Sequence, residues 1–153
     1  MSEFDPEVTL REITKENLWD ILRLKVAPHQ EQFVASNAVS LAEAHFEPEL
    51  PWFRAIYAGD VSVGFLMLEY NAEEQFYSLW RLMIDERYQK HGYGRKALEL
   101  LFAYVKTLPK SDALYTSCVP AEGGSGLFYE KMGFVYTGDG DEEDGELYMR
   151  REL

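Results

Sequence analysis

One cysteine, three histidines and fifteen basic residues in a chain of 153 already limit the chemistry open to this sequence. The single Cys118 excludes an intramolecular disulfide. His29, His45 and His91 stand too far apart in sequence to suggest a metal cluster, and Cys118 has no adjacent histidine motif, so no metal is expected. Against the 15 Lys and Arg stand 27 Asp and Glu, a net charge of −12, which removes the sequence-independent attraction to phosphates on which nucleic-acid binding depends. No apolar run approaches the ~20 residues of a bilayer span, and Met1-Ser2-Glu3-Phe4-Asp5 lacks a basic segment leading into an apolar one. The expectation is a soluble, cytoplasmic protein with neither a nucleic-acid nor a membrane partner. A Walker-type loop is excluded because no Gly-Lys-Ser or Gly-Lys-Thr occurs.

What is present suffices for a core. With 46% hydrophobic and 14% aromatic residues, a chain of this length buries roughly two thirds of its unfolded surface and folds as one domain, 1–153. Charge is unevenly placed. Residues 26–50 carry Glu31, Glu43, Glu47 and Glu49 and no Lys or Arg, whereas residues 87–110 set Arg87, Lys90, Arg95, Lys96, Lys106 and Lys110 against Glu99 alone. Such a basic stretch describes either a solvated helix face or an anion site. Four of its bases fall within ten residues that also hold Gly92 and Gly94, and glycines at a helix start beside bases suit an anion.

Hydrophobic periodicity gives the order of elements. Residues 8–13 alternate as a first strand, and Thr14 is the expected cap of a helix through Leu18, Ile21, Leu22 and Leu24 that weakens by Pro28. Ser40 with Glu43 reads as a capping box opening a second helix that ends near Pro48. Residues 52–58 and 61–70 form a hairpin about Gly59-Asp60. The near-continuous apolar run in 76–85 predicts a strand buried on both faces at the centre of a sheet. Residues 93–108 form the longest helix, with Ala97, Leu101, Tyr104, Val105 and Leu108 on one stripe and Pro109 as its stop. A strand over 114–119, a helix over 123–131 stopped by Gly133, and a terminal hairpin of 134–137 with 147–151 complete the chain. The acidic run 139–146 is similar in composition to a calcium loop but has Asp144 where that loop needs Gly and Arg150 where it needs Glu, so it reads as a hairpin turn.

Gly92-Tyr93-Gly94-Arg95-Lys96-Ala97 also satisfies the loose dinucleotide pattern G-x-G-x-x-A. The context does not fit. An antiparallel hairpin precedes it, and Asp112 comes before the next strand instead of at its end.

The longer string Gln89-Lys90-His91-Gly92-Tyr93-Gly94, following the strand Leu79-Trp80-Arg81-Leu82-Met83-Ile84-Asp85, resembles the acyl-coenzyme A loop Q-x-x-G-x-G of the GNAT acetyltransferases. Leu127-Phe128-Tyr129-Glu130-Lys131-Met132-Gly133-Phe134 resembles the family's F-Y-x-K-x-G-F helix, and the likeness covers about residues 8–152. Within the family, Phe33-Val34-Ala35-Ser36-Asn37, Val63-Gly64-Phe65-Leu66-Met67-Leu68-Glu69-Tyr70 and 79–85 look most like bacterial spermine/spermidine (diamine) acetyltransferases.

The resemblance implies an α/β (α+β) GNAT fold: a mixed, largely antiparallel, splayed sheet of about six to seven strands flanked by about four helices. It implies acetyl-CoA as cosubstrate, bound by the backbone of Leu82, Met83 and Ile84, by the loop Gln89, Lys90, His91, Gly92, Tyr93, Gly94, Arg95 and Lys96, and by Lys131. Free N–H groups and the positive end of a helix dipole at the glycines agree with a pyrophosphate there. Tyr129 matches the family's general acid; Glu69 is the expected partner of a cationic amine or its proton relay. Trp80 stands where several polyamine acetyltransferases have an acid and is expected to form an apolar wall, and Glu31 and Asn37 border the acceptor. Glu122 and Ser125 replace the Asn and Ala found in many relatives seven and four residues before the tyrosine, which loosens the expected helix start. The function implied is direct acetyl transfer to a polyamine or similar small cationic amine. A protein N-terminus or lysine as acceptor, and a non-catalytic acyl-CoA sensor, are the alternatives. A homodimer is an assembly consistent with the resemblance.

Overall fold

In the computed structural model, residues 6–47, 51–71, 73–121 and 124–153 are described. Among these residues seven strands form one sheet in the order β1-β2-β3-β4-β5-β7-β6. In chain order these are β1 (Val8–Arg11), β2 (Pro51–Ala58), β3 (Val61–Asn71), β4 (Phe76–Ile84), β5 (Ala113–Cys118), β6 (Val135–Asp141) and β7 (Glu146–Glu152). All neighbours run antiparallel except β4 and β5. The sequence-derived central strand is β4, fourth of the seven.

Among the described residues four α-helices cover the sheet: α1 (Leu18–Arg23), α2 (Asn37–Phe46), α3 (Tyr93–Lys106) and α4 (Gly126–Lys131). On one face, Ala97, Leu98, Leu101, Phe102 and Val105 of α3 pack with Leu66, Leu68, Leu79 and Leu114. On the other, Ile21, Leu24, Val26 and Ala44 from the α1–α2 region pack with Ala55, Phe65, Met67 and Met83. Each fully buried Leu or Ile of this kind contributes about 1.5–3 kcal/mol relative to exposure. β4 is buried on both faces, and a bulge at Trp80 shifts its alternation, so that Leu79 belongs to the first cluster and Met83, four residues on, to the second.

Two expected helix starts are corrected. Thr14 does not cap α1; its N–H is donated to the Asn17 side-chain oxygen at 2.7 Å, and a turn intervenes before Leu18. The second helix opens earlier, with Ser36 Oγ accepting from the Val39 N–H at 3.2 Å, so Ser40 lies buried inside it. Glu43, read as the other half of a capping box, instead approaches Arg81 at 3.3 Å. The Gly59-Asp60 hairpin forms as expected, with Gly59 at φ +60°. The helix expected over 123–131 begins at Gly126; Gly123 and Glu122 lie outside the described residues, as does Pro48. The acidic run is only partly a turn: Asp139–Asp141 extend β6, Glu146 opens β7, and 142–145 form the turn between them. Among the described residues no helix is long and apolar enough to cross a membrane.

Candidate active site

β4 and β5 are joined only at Tyr77–Leu114 and Ser78–Tyr115. Beyond that point the strands part, and a cleft of about 730 Å³ opens between them, within the size range of ligand sites. β4's free edge is one wall. Gln89 Nε2 donates to the Ile84 carbonyl at 2.8 Å from the cleft side, whereas the Met83 carbonyl is turned toward Gly64 on β3. Since backbone groups alternate along a strand, Leu82 and Ile84 present theirs to the cleft and Met83 does not. Of the three residues expected to pair with a pantetheine arm, Met83 therefore contributes its side chain to the wall and its backbone to the sheet.

The start of α3 closes one part of the cleft. Gly92 is the N-cap at φ +80°, which a glycine adopts without strain, and no side chain caps the helix. Lys96 N–H makes the first bond, to the Gly92 carbonyl, so the N–H groups of Tyr93, Gly94 and Arg95 have no intrahelical acceptor. A Cβ built on Gly94 would meet nothing nearer than Phe128 at 3.5 Å, so the glycine there leaves cleft space open instead of relieving a clash. Lys90 and Arg95 line the same wall. Free amides, a helix dipole and two cations form a cradle that fits the pyrophosphate of coenzyme A. His91 and Lys96 are not on the wall; exposed His91 stacks on Tyr93 with ring centres 5.5 Å apart.

Gln89 does not end free in the cleft. Its Nε2 also donates to Gln30 Oε1 at 2.8 Å, an oxygen that accepts from the Ala27 N–H as well. The phosphate loop is thereby fastened to the segment after α1.

Tyr129 of α4 lies at the cleft with 6% of its surface exposed. Burial pushes its phenol up to about 12; nearby Cys118 adds to the rise, and hydrogen bonding from the Thr116 and Ser125 hydroxyls opposes it. The proton is therefore held throughout the neutral and mildly alkaline range. Phe134 stands edge-on to the ring at 5.4 Å and fixes it. Lys131, in the exposed last turn of α4, is not on the cleft wall.

The opposite wall carries the acceptor-side candidates. A bulge separates the pairs Met67–Arg81 and Leu68–Leu79, leaving Trp80 without a partner on β3. Trp80 packs with the second core cluster, and Arg81 also reaches that face, with Nη2 at 3.3 Å from Glu43 Oε1. Both line the cleft. Glu69, one strand over, does not line it. Its carboxyl is held above the usual range, by burial first and by Glu47, while Arg81 pulls the other way. Glu31 is on the wall and also borders a second cavity of about 230 Å³ lined by Asn37. Asn37 is buried, donating to the Ile21 carbonyl at 2.9 Å and to Met83 Sδ at 3.7 Å.

Several wall residues carried no sequence signal. Tyr88 and Phe128 extend the aromatic lining, Thr116 and Ser117 come from β5, and Glu146 projects from the start of β7. Phe128 precedes the tyrosine of its motif, Tyr88 precedes the glutamine of the glycine loop, and Glu146 ends the acidic run, but none is singled out for the site by its sequence.

The sheet splits beside an uncapped glycine helix start, with a buried phenol at the parting. The model of the acetyltransferase (GNAT) family matches residues 15–134. The chain belongs to that family and is an acetyl-CoA-dependent N-acetyltransferase. It is 31% identical over 155 residues to the spermine/spermidine N(1)-acetyltransferase of Bacillus subtilis (strain 168), covering 95% of this chain and 99% of that one. Among solved structures, an acetyltransferase from Thermus thermophilus superposes with a TM-score of 0.72 at 20% identity, covering 95% of this chain and 97% of that one. A spermidine N-acetyltransferase from Vibrio cholerae in complex with CoA and spermine gives 0.72 at 19% identity, covering 95% of each chain. These neighbours agree with the fold expected from the sequence motifs.

Proposed function

We propose that the acceptor is a small, multiply charged amine of the polyamine class, acetylated at a primary nitrogen in a ternary complex by a single domain acting in the cytoplasm. The observation carrying this is the division of the cleft's charges. Lys90, Arg95 and the α3 amides suit phosphates, whereas Glu31 and Glu146, which line the same cleft, suit a cation. Arg81 does not spoil the acidic side, since Glu43 pairs with it and Glu69 lies within its electrostatic reach. The likeness to the Bacillus subtilis spermine/spermidine enzyme supports the same acceptor class.

Acetyl-CoA supplies a thioester whose carbonyl carbon is attacked by the neutral amine, with release of the thiolate. The uncapped start of α3 with Lys90 and Arg95 holds the pyrophosphate, and the outward backbone of Leu82 and Ile84 orients the amide-bearing arm as an added strand would. Tyr129 holds the proton for the departing sulphur. Because its phenol is a weaker acid than an ordinary thiol, it hydrogen-bonds the developing thiolate and passes its proton to the sulphur only as the acetylated nitrogen returns one to the phenol. Trp80 forms an apolar wall, and Glu69 tempers the Arg81 charge from outside it.

The test is ionic strength. Between low and high salt the KM for spermidine rises several-fold more than the KM for a neutral-tailed monoamine such as butylamine, and Glu31→Gln or Glu146→Gln reproduces part of that rise. A spermidine KM indifferent to salt removes the polyamine reading while leaving acetyl transfer intact.

A further inference from the structure

The consecutive residues 30–35 all line the cleft, and they do so as turn and loop, outside any strand or α-helix. A wall of that kind has no backbone ladder of its own, so the bonds at its two ends decide where it stands. At the far end Asn37 Nδ2 donates to the Ile21 carbonyl at 2.9 Å. Upstream of the near end Lys25 is clamped to the end of β4, its N–H donated to Asp85 and its carbonyl accepting the Glu86 N–H, each at 2.9 Å. The near post itself is Gln30. Its Oε1 accepts from the Ala27 N–H at 3.1 Å and from Gln89 Nε2 at 2.8 Å. These partners fix both amides: a backbone N–H can meet only the oxygen of Gln30, and the Ile84 carbonyl can meet only the nitrogen of Gln89. Both protons of Gln89 Nε2 are thereby committed, one to Ile84 and one to Gln30. The Gln30 backbone closes turns on either side, its N–H donated to the Ala27 carbonyl at 2.8 Å and its carbonyl accepting the Phe33 N–H at 2.9 Å. The next residue, Glu31, is the carboxylate of this wall and borders both cavities.

We infer that Gln30 is a positioning residue that sets acceptor specificity: with one oxygen it fastens the 30–35 wall to Gln89 and the end of β4, and so places the Glu31 carboxylate for a cationic amine. Removing that oxygen unfastens the wall but leaves Gln89 bonded to the Ile84 carbonyl, so the phosphate loop keeps its own anchor. The loss therefore falls on the acceptor and not on acetyl-CoA. Neither bond uses the Gln30 nitrogen, so Gln30→Glu keeps both, whereas Gln30→Leu keeps the bulk and loses both.

The inference rests on Glu31 as a carboxylate for a polyamine acceptor, and a double-mutant cycle separates the two. Initial rates are followed at low salt by release of the coenzyme thiol, with the polyamine turned over fastest as acceptor. Gln30→Leu is expected to raise the KM for that polyamine about 10-fold, with kcat and the KM for acetyl-CoA each within about 2-fold of the parent. Gln30→Glu is expected to keep the polyamine KM no more than about 2-fold above the parent. In a Glu31→Gln background, where the KM is already raised, Gln30→Leu is expected to add less than about 2-fold. Gln30→Ala carries the same test if the Leu variant does not fold. A parental polyamine KM for Gln30→Leu beside a raised one for Glu31→Gln overturns the role of Gln30 alone. Equal rises in both backgrounds, a matching rise in the KM for acetyl-CoA, or a Gln30→Glu variant as impaired as Gln30→Leu do the same. A parental KM for Glu31→Gln, or no turnover of any polyamine, overturns the acceptor reading and the role of Gln30 with it.

Discussion

The buried Asp85 carboxylate accepts the backbone N–H of Lys25 at 2.9 Å, so the end of β4 is tied to the chain leaving α1. Arg87 completes the arrangement, donating its N–H at 2.9 Å and its Nε at 2.8 Å to the same carboxylate. Burial alone would raise this carboxyl; the bonds from Arg87 and Lys25 outweigh burial and hold it below the ordinary aspartate range. Asp85→Asn puts an amide N–H where only donors approach, and should cost about 1.5–3 kcal/mol, a fall in Tm of roughly 5–10 °C by calorimetry.

The same group sets an acid limb of stability. A folded-state pKa below the unfolded one gives stabilisation that is complete above the unfolded aspartate value, ~3.9, and is lost as pH falls through the folded value. Denaturation midpoints measured down to pH 3 should fall more steeply for the parent protein than for Asp85→Asn. Parallel acid limbs would show that other carboxylates dominate.

The two glycines of the phosphate loop should fail in different ways. At Gly92 the demand is conformational: φ is +80° and an added Cβ has open space, so Gly92→Ala should cost about 1–2 kcal/mol of stability. At Gly94 the demand is room for a ligand, so Gly94→Val should leave the fold near parental and weaken coenzyme A binding at least about 10-fold by calorimetry. Undiminished affinity in folded Gly94→Val would remove the loop from phosphate binding.

Much of this frame was legible in the sequence. The β2–β3 hairpin is announced by Gly59-Asp60 between apolar runs, and α3 by its stripe from Ala97 to Val105, because both signals are local periodicities. The cleft lining was legible where a motif is contiguous: Gln89, Lys90, Gly92, Tyr93, Gly94, Arg95 and Tyr129 line it, whereas His91, Lys96 and Lys131 do not. Elsewhere it was not: Thr116 on β5, Ser125 at the start of α4 and Glu146 at the start of β7 are far apart in sequence and reach one cleft only through the fold. Trp80 and Arg81 share a face because of a bulge, and a bulge leaves no mark on a strand's composition. Ser40 misled because its spacing to Glu43 mimics a capping box, while Arg81, distant in sequence, takes the carboxylate.

Tyr129→Phe should lower kcat by ~10²–10⁴-fold while changing the Kd for acetyl-CoA only a few-fold, since donation to the sulphur is an interaction of the transition state. Because the phenol is pushed up to about 12, the parent rate should show no alkaline decline attributable to Tyr129 below about pH 11. A descending limb near pH 9–10 that Tyr129→Phe abolishes would contradict the buried, protonated phenol.

Coenzyme-thiol release from acetyl-CoA, measured across a panel of spermidine, spermine, shorter diamines, aliphatic monoamines and peptides bearing a free N-terminus or lysine, tests the central claim most directly. With acceptor carboxylates from Glu31 and Glu146 on the cleft wall, kcat/KM at low salt should be at least about 10-fold higher for spermidine or spermine than for any peptide. A peptide or neutral-tailed amine turned over faster than every polyamine would contradict it.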